Sequence, residues 1–253
     1  MSPLEAALIA LAGLGAGAIN TIVGSGTLIT FPTLILLGYP PVLANVSNNL
    51  GLVPGGVSGA IGYRRELVGQ ARRVKWLVPA SLAGGTLGAI ALLVLPESAF
   101  DAIVPVLIIL SLIGVVVQPW LRERLMERVD GDARSRPSTA LIIGVFLAGI
   151  YGGYFGAAQG VLLIALLGIL AADDLQRLNA TKNVLGLVVN AVAAVVFVLA
   201  ARIDWTVAGL IAAGSIVGGQ LGATLGRRMP PAVLRGVIVV VGAVAVWRLL
   251  TTD

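Results

Sequence analysis

Residues 6–63 contain no Asp, Glu, Lys or Arg, and neither do 76–96, 102–121, 137–172, 183–201 or 205–226. An apolar run of about 20 residues is long enough to cross the ~30 Å hydrocarbon core of a bilayer. A water-soluble fold has no interior large enough to hide so many such runs. Only 11% of the residues are charged and 58% are hydrophobic, whereas soluble domains carry about 25% charge. The chain therefore reads as an all-α, polytopic membrane protein. Its start, Met-Ser-Pro-Leu-Glu, lacks the basic flank of a cleaved signal peptide, so the first apolar run is expected to remain as a helix.

What the sequence lacks narrows its chemistry. It has no cysteine and no histidine, which removes disulfides, thiolate sites and the commonest metal ligand and general base. The 12 acidic residues lie near segment ends or in loops, so no carboxylate is expected inside the membrane, and neither a metal nor another cofactor is called for. An intramembrane enzyme would be reduced to a Ser25–Lys182 dyad. The net charge of +5 is spread over short loops, as topology signals are, and not over a patch for nucleic acid.

The two halves repeat. Ser81-Leu82-Ala83-Gly84-Gly85-Thr86-Leu87-Gly88-Ala89 matches Ser215-Ile216-Val217-Gly218-Gly219-Gln220-Leu221-Gly222-Ala223 at an offset of 134 residues, with six identities in nine. The same offset pairs Gly26 with Gly160, Asn45 with Asn179, Asn49 with Asn183 and Pro96 with Pro230. This gives a first transmembrane repeat over 1–120, a linker over 121–137 and a second repeat over 138–253. Each repeat holds five apolar segments, near 4–22, 27–38, 42–62, 74–95 and 102–118, then 138–157, 160–171, 178–200, 205–226 and 232–250. The expected architecture is eight full spans with two short or re-entrant half-helices, since 12 residues reach only ~18 Å.

Cations set the orientation. The loop 63–75 carries Arg64, Arg65, Arg72, Arg73 and Lys75, and the stretch 119–137 carries Arg122, Arg124, Arg128, Arg134 and Arg136. Both should be cytoplasmic, in a bacterial or archaeal inner membrane. Counting every segment as a crossing makes the repeats inverted and puts Arg227 and Arg228 inside. Treating the short segments as non-crossing makes the repeats parallel and puts Arg227 and Arg228 outside, so the inverted arrangement is the one expected.

Inverted repeats with interrupted helices bind substrate at the repeat interface in secondary transporters. The first interruption runs through Asn20, Gly24, Ser25, Gly26 and Thr27, where a half-helix N-terminus offers free N–H groups and partial positive charge to an anion. Its repeat mate contains Tyr154, Gln159 and Gly160. The third segments add Asn45, Ser47, Asn48 and Asn49 in one repeat and Asn179, Thr181, Lys182 and Asn183 in the other. Asn45, Asn48 and Asn49 share a helix face, as do Asn179, Lys182 and Asn183. Close packing through small residues, helix capping and snorkelling of Lys182 are the bland readings of these features. Three amides on one face exceed what a cap needs, and a charge within an apolar segment marks a functional site by default.

These residues carry a family resemblance. Gly15-x-Gly17-x-x-Asn20-x-x-x-Gly24-x-Gly26, Phe31-Pro32, Asn45-x-Ser47-Asn48-Asn49, Gly149-x-x-Gly152-Gly153 and Asn179-Ala180-Thr181-Lys182-Asn183 together resemble the sulfite exporter TauE/SafE family of permeases, along essentially the whole chain. The resemblance implies export or import of sulfite, sulfonates, sulfoacetate or a related small anion. One departure stands out: Ala157-Ala158-Gln159-Gly160 replaces a more glycine-rich stretch. The partners expected are a small anionic substrate and the lipid bilayer, with a homodimer left open. An anion channel or uniporter-like pore is the alternative, although the polar residues gather at one depth per repeat.

Overall fold

A computed structural model of the chain describes residues 1–126, 137–171 and 173–225, together with 239, 240 and 243. Nine helices account for nearly all of these residues: α1 Pro3–Ile22, α2 Thr27–Leu36, α3 Pro41–Gly62, α4 Ala71–Val94, α5 Glu97–Met126, α6 Thr139–Tyr154, α7 Gln159–Leu170, α8 Leu175–Ala200 and α9 Trp205–Leu225. No strand occurs among the described residues. Most of segment 232–250, Arg227, Arg228, Pro230 and most of the linker 121–137 lie outside them. The first six residues of that linker continue α5 to Met126.

Local signals set the helix starts. Ser2 and Glu5 form a reciprocal capping box ahead of Pro3, with bonds of 2.8 and 3.2 Å. Asp174 caps α8 by accepting from the amides of Gln176 and Arg177, and Asp204 does the same for Thr206 and Val207 at the head of α9. Helices α1, α4, α5, α8 and α9 are long and apolar enough to cross a bilayer. Helix α3 has the length, at 22 residues, but its Asn, Ser, Gly and Pro residues make it too polar to qualify. Helix α6, at 16 residues, spans only about 24 Å.

Large apolar side chains face outward along these helices, among them Val106, Leu110, Ile113 and Val116 on α5 and Leu199 on α8. Polar ones are drawn inward. This reverses the distribution of a soluble domain and fits a hydrocarbon surround.

Packing pairs elements across the two halves. α1 lies on α9, and α6 lies on α4. The 134-residue offset turns one of these contacts into the other. Both contacts are glycine-lined: a Cβ at Gly17 would meet the backbone of Ser215, and one at Gly88 would meet the backbone of Ile150 and Tyr154. Without a hydrophobic drive between helices in lipid, such close backbone approach is what holds them together. Direction follows from the helix ends. Arg177, at the head of α8, donates to Val68 O in the turn after α3 at 3.2 Å. The amide of Asp204, after the end of α8, donates to Ser47 Oγ near the head of α3 at 3.0 Å. Helices α3 and α8 therefore run antiparallel.

Gly88→Ala is expected to lower stability by roughly 1–3 kcal/mol, because the backbone it meets cannot yield. Gly209→Ala, where an added Cβ meets nothing within 4 Å, should instead gain about 0.5–1 kcal/mol from the lost flexibility of the unfolded chain. Thermal unfolding of the two variants in detergent checks both signs.

Candidate functional site

Two helix breaks meet at the centre of the molecule. The first separates α1 from α2 and the second separates α6 from α7. Gly24 has φ 88°, a left-handed conformation that only glycine adopts freely. Its carbonyl accepts the amide of Gly160 at 3.0 Å. A Cβ on either glycine would collide with the backbone of the other. Ala158 is also left-handed, at φ 56°. A glycine at this position would be unstrained, and alanine is not.

The freed backbone ends are capped from the opposite half of the chain. At the end of α1, Thr21 O accepts the side-chain amides of Asn179 and Asn183 and the ammonium of Lys182, each at 3.2 Å, and Asn20 O accepts Lys182 Nζ at 3.1 Å. At the end of α6, Tyr154 O accepts Asn45 Nδ2 at 3.0 Å. Asn45 maps to Asn179 at the 134-residue offset and Tyr154 to Asn20, one residue before the carbonyl that Asn179 reaches, so the two caps match to within one residue. Lys182 is 2% exposed, so it does not snorkel. Its ammonium sits on the carbonyl end of α1, which carries the negative end of the helix dipole.

Beside these groups lies a cavity of about 30 Å³, room for roughly two waters. Asn20, Thr21, Gly24 and Thr27 form its wall in the first half, with Gly56 and Gly59 of α3. Gly156, Gln159 and Gly160 close it from the second break, and Lys182, Asn183, Gly186, Leu187 and Asn190 from α8. Among the described residues, Lys182 is the one charged group lining it. The amides of Ser25, Gly26 and Thr27 donate no hydrogen bond among the described residues. Buried Ser25 Oγ, Asn49 Oδ1, Tyr154 OH, Gln159 Nε2 and Asn179 Oδ1 also lack partners, a concentration of unmet polar capacity that stable packing alone does not require.

The structure thus brings seven of the expected residues to one cavity: Asn20, Gly24, Thr27, Gln159, Gly160, Lys182 and Asn183. The others lie around it. Asn48 ties α3 to α2 through Thr30 and Thr27. Asn49 donates to Asn190 at 3.4 Å. Asn45 and Asn179 serve the two helix ends. Ser47 holds the head of α9, and Thr181 donates to Gln70 at 2.8 Å. Ser25, Gly26 and Tyr154 belong to the breaks. No hydrogen bond joins Ser25 to Lys182. Sequence reasoning missed Asn190, although a lone amide in the apolar run of α8 was a usable signal. It also passed over Thr21, whose hydroxyl is spent on Gly17 O at 2.9 Å, and Gly56, Gly59, Gly156, Gly186 and Leu187, which have no polar side chain.

One turn or more outward of Lys182 lies an ionic cluster. Arg73 reaches Asp173 at 2.7 Å, and Arg177 reaches it at 3.0 Å. Arg73 further donates to Gln70 and to Ala171 O. Burial works against the Asp173 charge, but bonds from Arg73, the Asp174 amide and Arg177 outweigh it and hold the carboxyl below its usual range. A depressed folded value means that this contribution to stability is present above the ordinary aspartate range and is lost as pH falls through the depressed value.

Comparison with known proteins agrees along the chain. The family model described as "Sulfite exporter TauE/SafE" matches residues 9–249. A "Probable membrane transporter protein" of Haemophilus influenzae is 27% identical over 237 residues, covering 92% of this chain and 90% of the relative. The "Probable membrane transporter protein YfcA" of Escherichia coli K12 is 27% identical over 257 residues, covering 99% and 91%. No solved structure matches the chain.

Two asparagines separate scaffold from cavity. Asn48→Ala removes a buried bond between α2 and α3 and should cost about 1–3 kcal/mol of stability. Asn190→Ala, whose described bond is long and lines open space, should cost less than about 1 kcal/mol. Chemical or thermal unfolding of the purified variants reads the difference.

Proposed function

This chain belongs to the sulfite exporter TauE/SafE family, and on that footing we propose that it is a secondary transporter of a small anion, sulfite or an organosulfonate or related sulfur oxyanion, working by alternating access between its two halves in a bacterial or archaeal inner membrane. The single observation that carries the reading is the cavity at the meeting of the two helix breaks, with the Lys182 ammonium as its charged group. A buried cation with no carboxylate partner among the described residues favours an anion. The carbonyl end of α1 compensates it only in part, because a helix terminus offers about half a charge. The unbonded amides at the head of α2 and the amides of Asn183 and Gln159 add donors suited to oxyanion oxygens.

The antiparallel course of α3 and α8 and the reciprocal capping of α1 and α6 support an inverted relation between the repeats. With that relation, the basic loop at 63–75 is cytoplasmic by the positive-inside rule. Gly56, Gly59 and Gly186 line the cavity with little side-chain bulk, which leaves its walls free to adjust to a bound anion.

The test is counterflow in proteoliposomes with sulfite, sulfate, thiosulfate, taurine and sulfoacetate in parallel. At least one sulfur anion should exchange saturably. Lys182→Met should weaken its binding about 10- to 100-fold, the loss of a charged hydrogen bond of about 1.5–3 kcal/mol. Lys182→Arg should keep part of the activity, since charge survives while geometry changes. Unaltered exchange by Lys182→Met would remove the ammonium from the site.

A further inference from the structure

The ionic cluster outward of the cavity has no place in the binding chemistry, and its position in the repeat explains what it does. Thr181 Oγ1 donates to Gln70 Oε1 at 2.8 Å, joining α8 to the head of α4. The 134-residue offset carries Ser47 onto Thr181 and Gln70 onto Asp204. The corresponding contact exists in the other half: Asp204 N–H donates to Ser47 Oγ at 3.0 Å, joining α3 to the head of α9. Each contact binds a third helix of one repeat to a fourth helix of the other. Because α3 and α8 are antiparallel, the two contacts lie on opposite faces of the cavity.

They are unequal. Around Gln70 and Thr181 the ion cluster adds Arg73, which is 5% exposed, with Asp173 and Arg177. The positions related to these three by the repeat are Val207, Tyr39 and Leu43, so no ion pair can form there. One face is closed by a buried charged network and the other by a backbone-to-hydroxyl bond.

We propose that the Arg73–Asp173–Arg177 cluster with Gln70 and Thr181 is the seal that closes the cavity toward the face of the basic loop 63–75, and that Ser47–Asp204 is the weaker seal of the opposite face. This rests on the alternating-access reading of the cavity. Its ionic members on the α8 side, Arg177 and Asp173, lie five and nine residues before Lys182, roughly 8–14 Å along the helix direction, while Thr181 joins them to the cavity wall. A buried ion pair suits a seal, because it is stable when complete and dry, and its members regain hydration when that face opens. Half-broken states are costly, which makes the transition all-or-none. Two arginines on one aspartate also leave the mouth positive, which draws anions toward it.

The chain has no cysteine, so Gly186→Cys places a single thiol on the cavity wall, where an added Cβ meets nothing within 4 Å. A membrane-impermeant charged thiol reagent is applied to each face of oriented vesicles in turn. In the Gly186→Cys background, Asp173→Asn should raise the labelling rate on the order of tenfold from the basic-loop face alone, as expected for loss of a buried charged bond. Ser47→Ala should raise it from the opposite face alone. Unchanged labelling in Asp173→Asn, or equal acceleration from both faces, overturns the proposal. Should Asp173→Asn not fold, Thr181→Val removes the bond to Gln70 and leaves the ion pairs, and it should speed labelling severalfold from the basic-loop face. No change there overturns the proposal as well. Labelling needs no cargo, so face-selective acceleration without anion exchange would sink the transport reading alone, and anion exchange without face-selective acceleration would sink the seal alone.

Discussion

A hydrocarbon core offers no partner to a backbone that leaves the helix, and this chain leaves it twice, between α1 and α2 and between α6 and α7. Every freed carbonyl and amide must be met by protein or by a polar cavity. The two breaks meet this need by crossing. Gly24 O accepts Gly160 N–H, and the backbones touch so closely that neither position has room for a Cβ. The exposed end of each broken helix is then capped by asparagine from the other half, Asn45 on Tyr154 O and Asn179 on Thr21 O. Breaking a helix thus forces the two halves of the chain to interlock, and the space left over at the crossing is the cavity.

Lys182 makes the two halves different. Its repeat position in the first half is Asn48, which spends its side chain on Thr30 and Thr27 and fastens α2 to α3. In the second half the same position carries an ammonium aimed at the end of α1. One residue serves scaffold in one repeat and presents charge to the cavity in the other. Phe31, Phe100 and Phe155 reinforce the scaffold side, with edge-on ring contacts 5.2–6.4 Å apart that brace α2 and α5 against the second break. The asymmetry extends outward, where an ion cluster on one face corresponds to Val207, Tyr39 and Leu43 on the other.

Much of this was legible in the residues. Uninterrupted apolar runs required membrane helices, because charge cannot be left in lipid. Most helix limits fell within about three residues of the apolar segments, since Pro, Ser, Asp and Gly at their ends act locally, whereas α5 runs Glu97–Met126, well past the expected 102–118 at both ends. Asn20, Lys182, Asn183 and Gln159 could be assigned to one polar locus because a hydrogen-bonding group at depth needs a partner somewhere. Ser47, Asn48 and Thr181 looked the same by that criterion, yet their partners turned out to be Asp204, Thr30 and Gln70. Sequence states that a polar group must be satisfied, not by what.

That distinction marks the boundary between the two levels. By itself the sequence determined the solvent, the helical class, the interrupted helices and the set of polar residues that could face a ligand, for each follows from composition and short-range spacing. Only the tertiary structure decided that Asn190 and Gly186 line the cavity, that Lys182 rests on the carbonyl end of α1, and that Arg73 is paired with Asp173 across a hundred residues of chain. Those outcomes depend on which helix faces meet. In lipid that is settled by how closely glycine-lined backbones can approach one another, a property of pairs of helices that no single segment records.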